Sequence, residues 1–126
     1  MKKLILMLIL IFSLFGIQKI NETPKEVKRV WTVADSKAYA RDLLRAWNDK
    51  QFRCLEKLWA KESNWRPNAY NKVKVMGKNA GGIPQLLGMS PTLEPTLQID
   101  RGIDYIVNRY GTPCYALKFH NRKGWY

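Results

Sequence analysis

Residues 51–71 read QFRCLEKLWAKESNWRPNAYN. The apolar residues in the first part of this stretch recur at helical spacing, which predicts an amphipathic helix over 51–63. Pro67 then prevents the helix from continuing. The apolar face consists of Phe52, Leu55, Leu58 and Trp59, and Glu62 continues it. One carboxylate therefore lies on the side of the helix that is expected to face the core.

The position of Glu62 predicts an unusual carboxyl group. It lies in the last turn of its helix, where the helix dipole disfavours negative charge, and burial disfavours that charge further. Such a carboxyl keeps its proton to a higher pH than an exposed one and can serve as a general acid. The alternative is a buried glutamate whose only role is to accept hydrogen bonds from Arg, Lys or backbone donors.

The segment that follows Glu62 is rich in amide and aromatic side chains. Trp65 and Tyr70 offer rings that can stack on sugar faces, whereas Asn71 and Gln85 offer amides for hydroxyl or acetamido groups. Each has a structural alternative, because aromatic rings also fill cores and amides also stabilise loops. These four residues are candidates for substrate binding.

Helices are predicted on both sides of this region. Ala40, Leu43, Leu44 and Trp47 indicate a helix from Asp35, as its cap, to about residue 50. A second helix is predicted over 95–110.

Gly111 is expected to end the 95–110 helix, and Thr112 and Pro113 to begin a last helix that runs to about His120. Residues 64–94, with three Pro and four Gly, are predicted to be mostly loop, with a short hairpin around 73–86. The fold class is therefore mainly α, with one loop-rich lobe.

Composition excludes several classes of enzyme. The chain of 126 residues and 14.7 kDa is long enough for one small domain. It has one His and two Cys, no phosphate-binding GxxxxGK[ST] loop and no HExxH pair. No metal site and no cofactor are expected, so any chemistry must use carboxylates, hydroxyls, amides, aromatic rings and one imidazole.

The first twenty residues have the pattern of an export segment. Lys2 and Lys3 precede the uncharged, apolar residues 4–17, which predicts a signal peptide or a retained membrane anchor. The polar residues 21–30 are predicted to be a linker and 31–126 the folded domain. The domain is therefore expected in the periplasm, the cell wall or the extracellular space, with a membrane tether as an alternative.

The chain is strongly basic. Its 22 Lys and Arg against 10 Asp and Glu give a net charge of +12. Without residues 1–20, which hold Lys2, Lys3 and Lys19, 19 basic and 10 acidic side chains remain, a net charge of +9. Wall polymers, anionic lipids and nucleic acid are the partners that such a charge favours, while a merely soluble surface is the alternative. Nucleic acid is not expected, since the basic residues are scattered along the chain.

Cys54 and Cys114 are the two cysteines, and an oxidising compartment would allow them to pair. Closing a loop of this length would stabilise the fold by about 4 kcal/mol in the chain-entropy account. Two buried free thiols are the alternative.

The ordered motifs of residues 47–126 resemble the lytic transglycosylase domain of the lysozyme-like superfamily, in its compact secreted subgroup from Gram-positive bacteria and phages. The motifs are Glu62-Ser63-x-Trp65-x-Pro67-x-Ala69-x-Asn71, Ala80-Gly81-Gly82-Ile83-Pro84-Gln85, Gln98-Ile99-x-x-Gly102-x-x-Tyr105-Ile106 and Arg109-Tyr110-Gly111. The subgroup also shares Cys54-Leu55-x-x-Leu58-Trp59, Tyr110-Gly111-x-Pro113-Cys114 and Gly124-Trp125-Tyr126.

The resemblance implies a small lysozyme-like domain, with helices around a glycan cleft and Glu62 as the catalytic acid and base. Gln85 matches a glutamine that lines the cleft, and Tyr105 matches a helix position packed beneath it. His120 stands where the wider family has a tyrosine, which leaves open whether it assists Glu62. Cys54 and Cys114 match the two cysteines of the subgroup, which supports a disulfide.

The implied activity is cleavage of the bond between N-acetylmuramic acid and N-acetylglucosamine in peptidoglycan, with formation of a 1,6-anhydro sugar. The expected partner is the peptidoglycan glycan strand, and the protein is expected to be a monomer. Residues 64–93 contain no Asp or Glu, which favours this route over a two-carboxylate hydrolase. A muramidase or endolysin, a non-catalytic glycan-binding module and a membrane-tethered nucleic-acid-binding protein remain the alternatives.

Overall fold

A computed structural model describes residues 24–126. Residues 24–30 are exposed and have no helix or strand, and residues 31–126 form one compact unit. The predicted signal or anchor segment lies outside the described residues. In residues 24–126, no helix combines the length and the apolar character that crossing a bilayer requires.

The described part of the chain contains four helices and one small sheet, which confirms the mainly helical fold class. The helices are α1 (Val33–Leu43), α2 (Asp49–Ser63), α3 (Pro95–Tyr110) and α4 (Pro113–Lys123). The strands β1 (Tyr70–Val75), β2 (Lys78–Gly81) and β3 (Leu86–Leu87) form an antiparallel sheet in the order β1-β2-β3. This sheet occupies the lobe between α2 and α3.

The first two helices differ from the sequence-based boundaries. The helix predicted from Asp35 to residue 50 ends at Leu43, and α2 begins at Asp49 because the side chain of Asn48 accepts a hydrogen bond from the backbone of Gln51. Asp35 is not the cap of α1. Thr32 caps the helix by accepting a hydrogen bond from the backbone N–H of Asp35, and the Asp35 carboxylate accepts one from the backbone N–H of Thr32, which completes a capping box.

Helix α2 ends where periodicity indicated, one residue after Glu62. Asn64 adopts a left-handed conformation with φ of 53° and closes the last turn through its backbone N–H. The chain therefore leaves the helix before Pro67, and Glu62 remains in the final turn.

The lobe predicted as mostly loop is more regular than expected. Instead of one hairpin around 73–86 it holds three short strands, in which Val75 pairs with Lys78 and Gly81 pairs with Leu86. Composition conceals this sheet, because glycine and proline are frequent in the segment 64–94 around the strands and β1 buries none of its residues.

The third and fourth helices agree well with the sequence. Helix α3 spans 95–110 as predicted, with Gly111 as its C-cap, and Thr112 caps α4 by accepting a hydrogen bond from the backbone of Tyr115. Helix α4 continues past His120 to Lys123, where Gly124 ends it in a left-handed conformation.

Helix α2 lies at the centre of the core, and Leu55, Leu58 and Trp59 on its apolar face are fully buried. It packs on α4, and the predicted Cys54–Cys114 disulfide joins the two helices across a separation of 60 residues. The disulfide is confirmed, and the alternative of two free thiols is excluded. The same α2–α4 contact brings the end of α2 close to the end of α4.

Candidate active site

Glu62 is held at the end of the buried face of α2. Its side chain is 17% exposed, so it is mostly shielded but still accessible to solvent. Burial raises the pKa of Glu62 to about 7. The carboxyl therefore retains its proton well above the pH at which an exposed glutamate ionises, as the sequence predicted.

His120 of α4 lies directly against this carboxyl. Its Nε2 atom is 2.8 Å from Oε1 of Glu62, and its side chain is 14% exposed. Burial, and secondarily the positive charge of Lys61, lowers the pKa of His120. The distance alone would fit an ion pair, but burial disfavours charge on both partners. The neutral pair is therefore favoured at pH values just below the Glu62 pKa of about 7.

Tyr126, the residue that follows Trp125 after the end of α4, also contacts this region. Its hydroxyl donates to the carbonyl of Pro84 at 2.7 Å and accepts from the indole N–H of Trp59 at 2.9 Å. Its ring centroid lies 6.4 Å from that of His120. Burial raises the pKa of Tyr126, and the nearby charge of Glu62 raises it further. This residue links α2 to the 82–85 turn beside the Glu62–His120 pair.

The 82–85 turn is fixed by two buried side chains. Ser63 donates a hydrogen bond to the carbonyl of Ile83 at 2.6 Å. Gln98, which is fully buried, accepts from the N–H of Ile83 at 2.8 Å and donates to the carbonyls of Pro67 and Leu93. A side chain at Gly82 would collide with Gln98, since a Cβ there would lie 2.6 Å from its Oε1.

Gln85 follows this turn with a positive φ of 52°. Its Nε2 donates to the carbonyls of Ala69 and Gly82 at 3.2 and 3.0 Å. Both amide hydrogens thus serve the loop, and the Oε1 atom is the part of this side chain that remains for a ligand.

The two candidates on β1 are exposed and make local contacts. Tyr70 is 51% exposed. The side-chain oxygen of Asn71 accepts from the backbone of Val73, and its carbonyl accepts from the side chain of Asn79. Both residues therefore lie in the sheet lobe with surfaces available to a ligand, and neither belongs to the Glu62–His120 pair.

Trp65 is a core residue, contrary to its proposed role in stacking on sugars. It is 1% exposed, packs edge-on against Trp59 at 5.0 Å and donates its indole N–H to the carbonyl of Glu56 at 3.1 Å. The ring faces are enclosed, so a sugar cannot reach them.

Tyr105 on α3 is partly buried and reaches the site through Tyr126. The two rings meet edge to face at 5.6 Å, and the Tyr105 hydroxyl accepts a hydrogen bond from Arg109 at 3.0 Å. The Tyr105 ring therefore packs on Tyr126 and its hydroxyl is directed to Arg109, while its predicted place beneath a glycan cleft stays a prediction.

Sequence reasoning assigned no role to Tyr126, Gln98 or Ser63. Gln98 carried a detectable signal, because it stands beside Ile99 at the buried start of a helix where a long polar side chain must find partners. The contacts of Tyr126 join positions 42 and 67 residues apart, and no local pattern indicates them.

A separate groove of about 500 Å³ lies between Trp31, Pro67 and residues 91–96. None of the predicted site residues lines it. Within residues 24–126, no group of three or more His, Cys, Asp or Glu side chains is arranged to hold a metal ion.

Comparisons with protein-family models, with curated proteins and with solved structures found no match for this chain.

Proposed function

We propose that the protein is a lytic transglycosylase with a lysozyme-like arrangement of helices around a glycan cleft. It would cleave the β-1,4 bond between N-acetylmuramic acid and N-acetylglucosamine in peptidoglycan. The observation that carries the proposal is the partly buried carboxyl of Glu62, which lies 2.8 Å from His120 and whose pKa burial raises to about 7. Such a carboxyl is suited to donating a proton to a leaving oxygen at neutral pH.

The proposed reaction has two steps, and Glu62 acts in both. In the first, its proton moves to the bridging oxygen as the bond from that oxygen to the anomeric carbon of the muramic acid breaks. The N-acetyl group of the substrate stabilises the positive charge at that carbon. In the second, the Glu62 carboxylate takes the proton of the 6-hydroxyl, whose oxygen bonds to the anomeric carbon. The carboxyl is regenerated, and no water is consumed.

His120 has a positioning role in this mechanism. With its proton on Nε2, the neutral imidazole donates to Oε1 of Glu62, so the acidic proton resides on Oε2. The same hydrogen bond becomes charge-assisted once Glu62 has lost its proton, and it then stabilises the carboxylate between the two steps. His120 need not titrate for either step.

The absence of Asp and Glu from residues 64–93 favours the anhydro product over hydrolysis. A two-carboxylate hydrolase places its second carboxyl about 5–9 Å from the acid, and residues 64–93 contain no Asp or Glu. Asp100 accepts a hydrogen bond from Tyr39 at 2.8 Å, which gives it a structural role between α1 and α3.

The substitution Glu62→Gln tests the assignment. We expect glycan cleavage to fall at least ~100-fold, the loss typical of removing a general acid. Glu56→Gln is the matched control, because Glu56 lies on the same helix but is half-exposed and pairs with Lys37 at 3.3 Å. Retained cleavage in Glu62→Gln would refute the proposal. Wall binding without cleavage by the wild type would instead indicate a non-catalytic binding module.

A further inference from the structure

The β1–β2 hairpin ends in a two-residue turn that faces open space. Val75 pairs with Lys78, and Met76 and Gly77 between them have φ of 52° and 75°, as a type I′ turn requires. A side chain built on Gly77 would meet no atom within 4 Å. All six residues of β1 are exposed.

The tip of this hairpin, residues 73–78, carries large apolar side chains on its surface. Val73 is 70% exposed, Val75 50% and Met76 85%. Three exposed apolar side chains grouped at one protruding turn are unusual for a surface that contacts only water. They indicate that the turn contacts an apolar partner.

Lysines alternate with these apolar residues along β1, and Lys78 pairs with Val75 across the hairpin. Lys72, Lys74 and Lys78 are exposed, and no acidic residue lies between positions 64 and 93. Because β1 forms the edge of the sheet, lysines there also discourage pairing with another strand. Protection of the strand edge does not account for the exposed Val73, Val75 and Met76, because exposed apolar side chains favour association of the hairpin with other apolar surfaces.

We propose that the hairpin tip docks onto the surface of a bilayer rich in anionic lipid. Such a surface supplies negative headgroups for the lysines and, a few ångströms deeper, an apolar layer for the tip. A soluble polyanion would satisfy the lysines alone. Each lysine near an anionic surface strengthens binding about five-fold, so the three lysines together contribute about 100-fold.

The test uses the full-length chain with Met76→Cys carrying an environment-sensitive fluorophore, since Cys54 and Cys114 are already paired. Vesicles contain phosphatidylcholine alone or with phosphatidylglycerol, each with a spin-labelled lipid that quenches at the glycerol level. The same label on Ala46→Cys, exposed in the turn between α1 and α2, is the control. Because quenching reports the position of the label itself, attachment through residues 1–20 does not imitate docking of the tip.

We expect quenching of the label at position 76, but not at position 46, with phosphatidylglycerol vesicles and little with phosphatidylcholine alone. Changing Lys72, Lys74 and Lys78 together to Gln should raise the lipid concentration for half-quenching at least ten-fold. Combining Glu62→Gln with the labelled tip should change nothing, which separates this proposal from the catalytic one.

Three results would overturn the proposal. The first is no quenching at position 76 in anionic vesicles. The second is equal quenching in both lipid compositions. The third is a tip label that responds to polyphosphate, or to increasing protein concentration, but not to vesicles, which would assign the surface to a soluble polyanion or to a second copy of the chain.

Discussion

The imidazole Nε2 of His120 lies 2.8 Å from Oε1 of Glu62, at the meeting of α4 with the last turn of α2. The Cys54–Cys114 disulfide ties the same two helices together nearer to the start of each. The pair is therefore positioned by a rigid helix–helix contact and not by a loop. Its geometry is consistent with one residue that moves a proton and one that orients it.

Substitutions of His120 should distinguish two effects on Glu62: the hydrogen bond that orients its carboxyl and the exclusion of water from that carboxyl. We expect His120→Ala and His120→Phe each to lower kcat at least ten-fold with little change in KM, because the carboxyl loses its hydrogen-bond donor. Only His120→Ala should lower the pKa of Glu62, since it admits water, whereas the phenyl ring keeps the site dry. Carboxyl titration by NMR measures this difference. An unchanged kcat in both variants would contradict the positioning role.

The rate of cleavage should depend on the protonation of Glu62. The first step requires the protonated carboxyl, and burial raises the pKa of Glu62 to about 7. We therefore expect kcat/KM to fall by a factor of ten per pH unit above about pH 7. The measurement is the initial rate of glycan release from about pH 5 to about pH 9, a range that includes the pKa of Glu62. A cleavage rate that does not change with pH over this range would be incompatible with Glu62 as the acid.

Stability should change with pH in the same range. The pKa of Glu62 is raised from 4.5 to about 7, so between these values the folded protein binds more protons than the unfolded chain. The stabilisation is present below pH 4.5 and is lost as the pH rises through about 7. Because solvent access reduces the effect, we expect a loss on the order of 2 kcal/mol.

The measurement is denaturant unfolding of the wild type and of Glu62→Gln from acid to neutral pH. Taking the difference between the two proteins largely removes the contribution of His120. That contribution has the opposite sign, because the lowered pKa of His120 makes its stabilisation disappear as the pH falls. A difference that does not vary with pH would show that Glu62 ionises normally.

Tyr126→Phe should destabilise the fold through two unpaired groups. The substitution preserves the ring packing but leaves the indole N–H of Trp59 and the carbonyl of Pro84 without the hydroxyl that each now contacts. We expect a loss of about 2 kcal/mol in the free energy of unfolding. Tyr115→Phe, at a 56% exposed position on α4, should leave stability unchanged. Equal stability of all three proteins would indicate that water replaces the hydroxyl at no cost.

Helical periodicity was sufficient to predict the elements that carry the site. It placed Glu62 on the buried face in the last turn of α2 and gave the bounds of α3. It failed between α1 and α2, because Leu43, Leu44 and Trp47 continue the apolar stripe although the chain leaves the helix at Leu44. There the cap of Asn48 overrides the periodic signal.

The remaining parts of the site depend on contacts between distant segments. The resemblance left open whether His120 assists Glu62, and no pattern in the sequence indicates that Tyr126 bridges Trp59 and Pro84 or that Gln98 holds Ile83. These contacts depend on the packing of α4 against α2 and of α3 against α4. Trp65 illustrates the converse, since a polar neighbourhood in the sequence suggested exposure, whereas the chain reverses at Asn64 and returns its ring to the core.

The most direct test of Glu62 as a catalyst of anhydro-sugar formation is mass spectrometry of the fragments released from purified sacculi. The wild type and Glu56→Gln should release muropeptides ending in 1,6-anhydro-muramic acid, each lighter by one water than a reducing end, and Glu62→Gln should release none. Reducing ends from the wild type would show hydrolysis instead. Anhydro ends from Glu62→Gln would contradict the role assigned to its carboxyl.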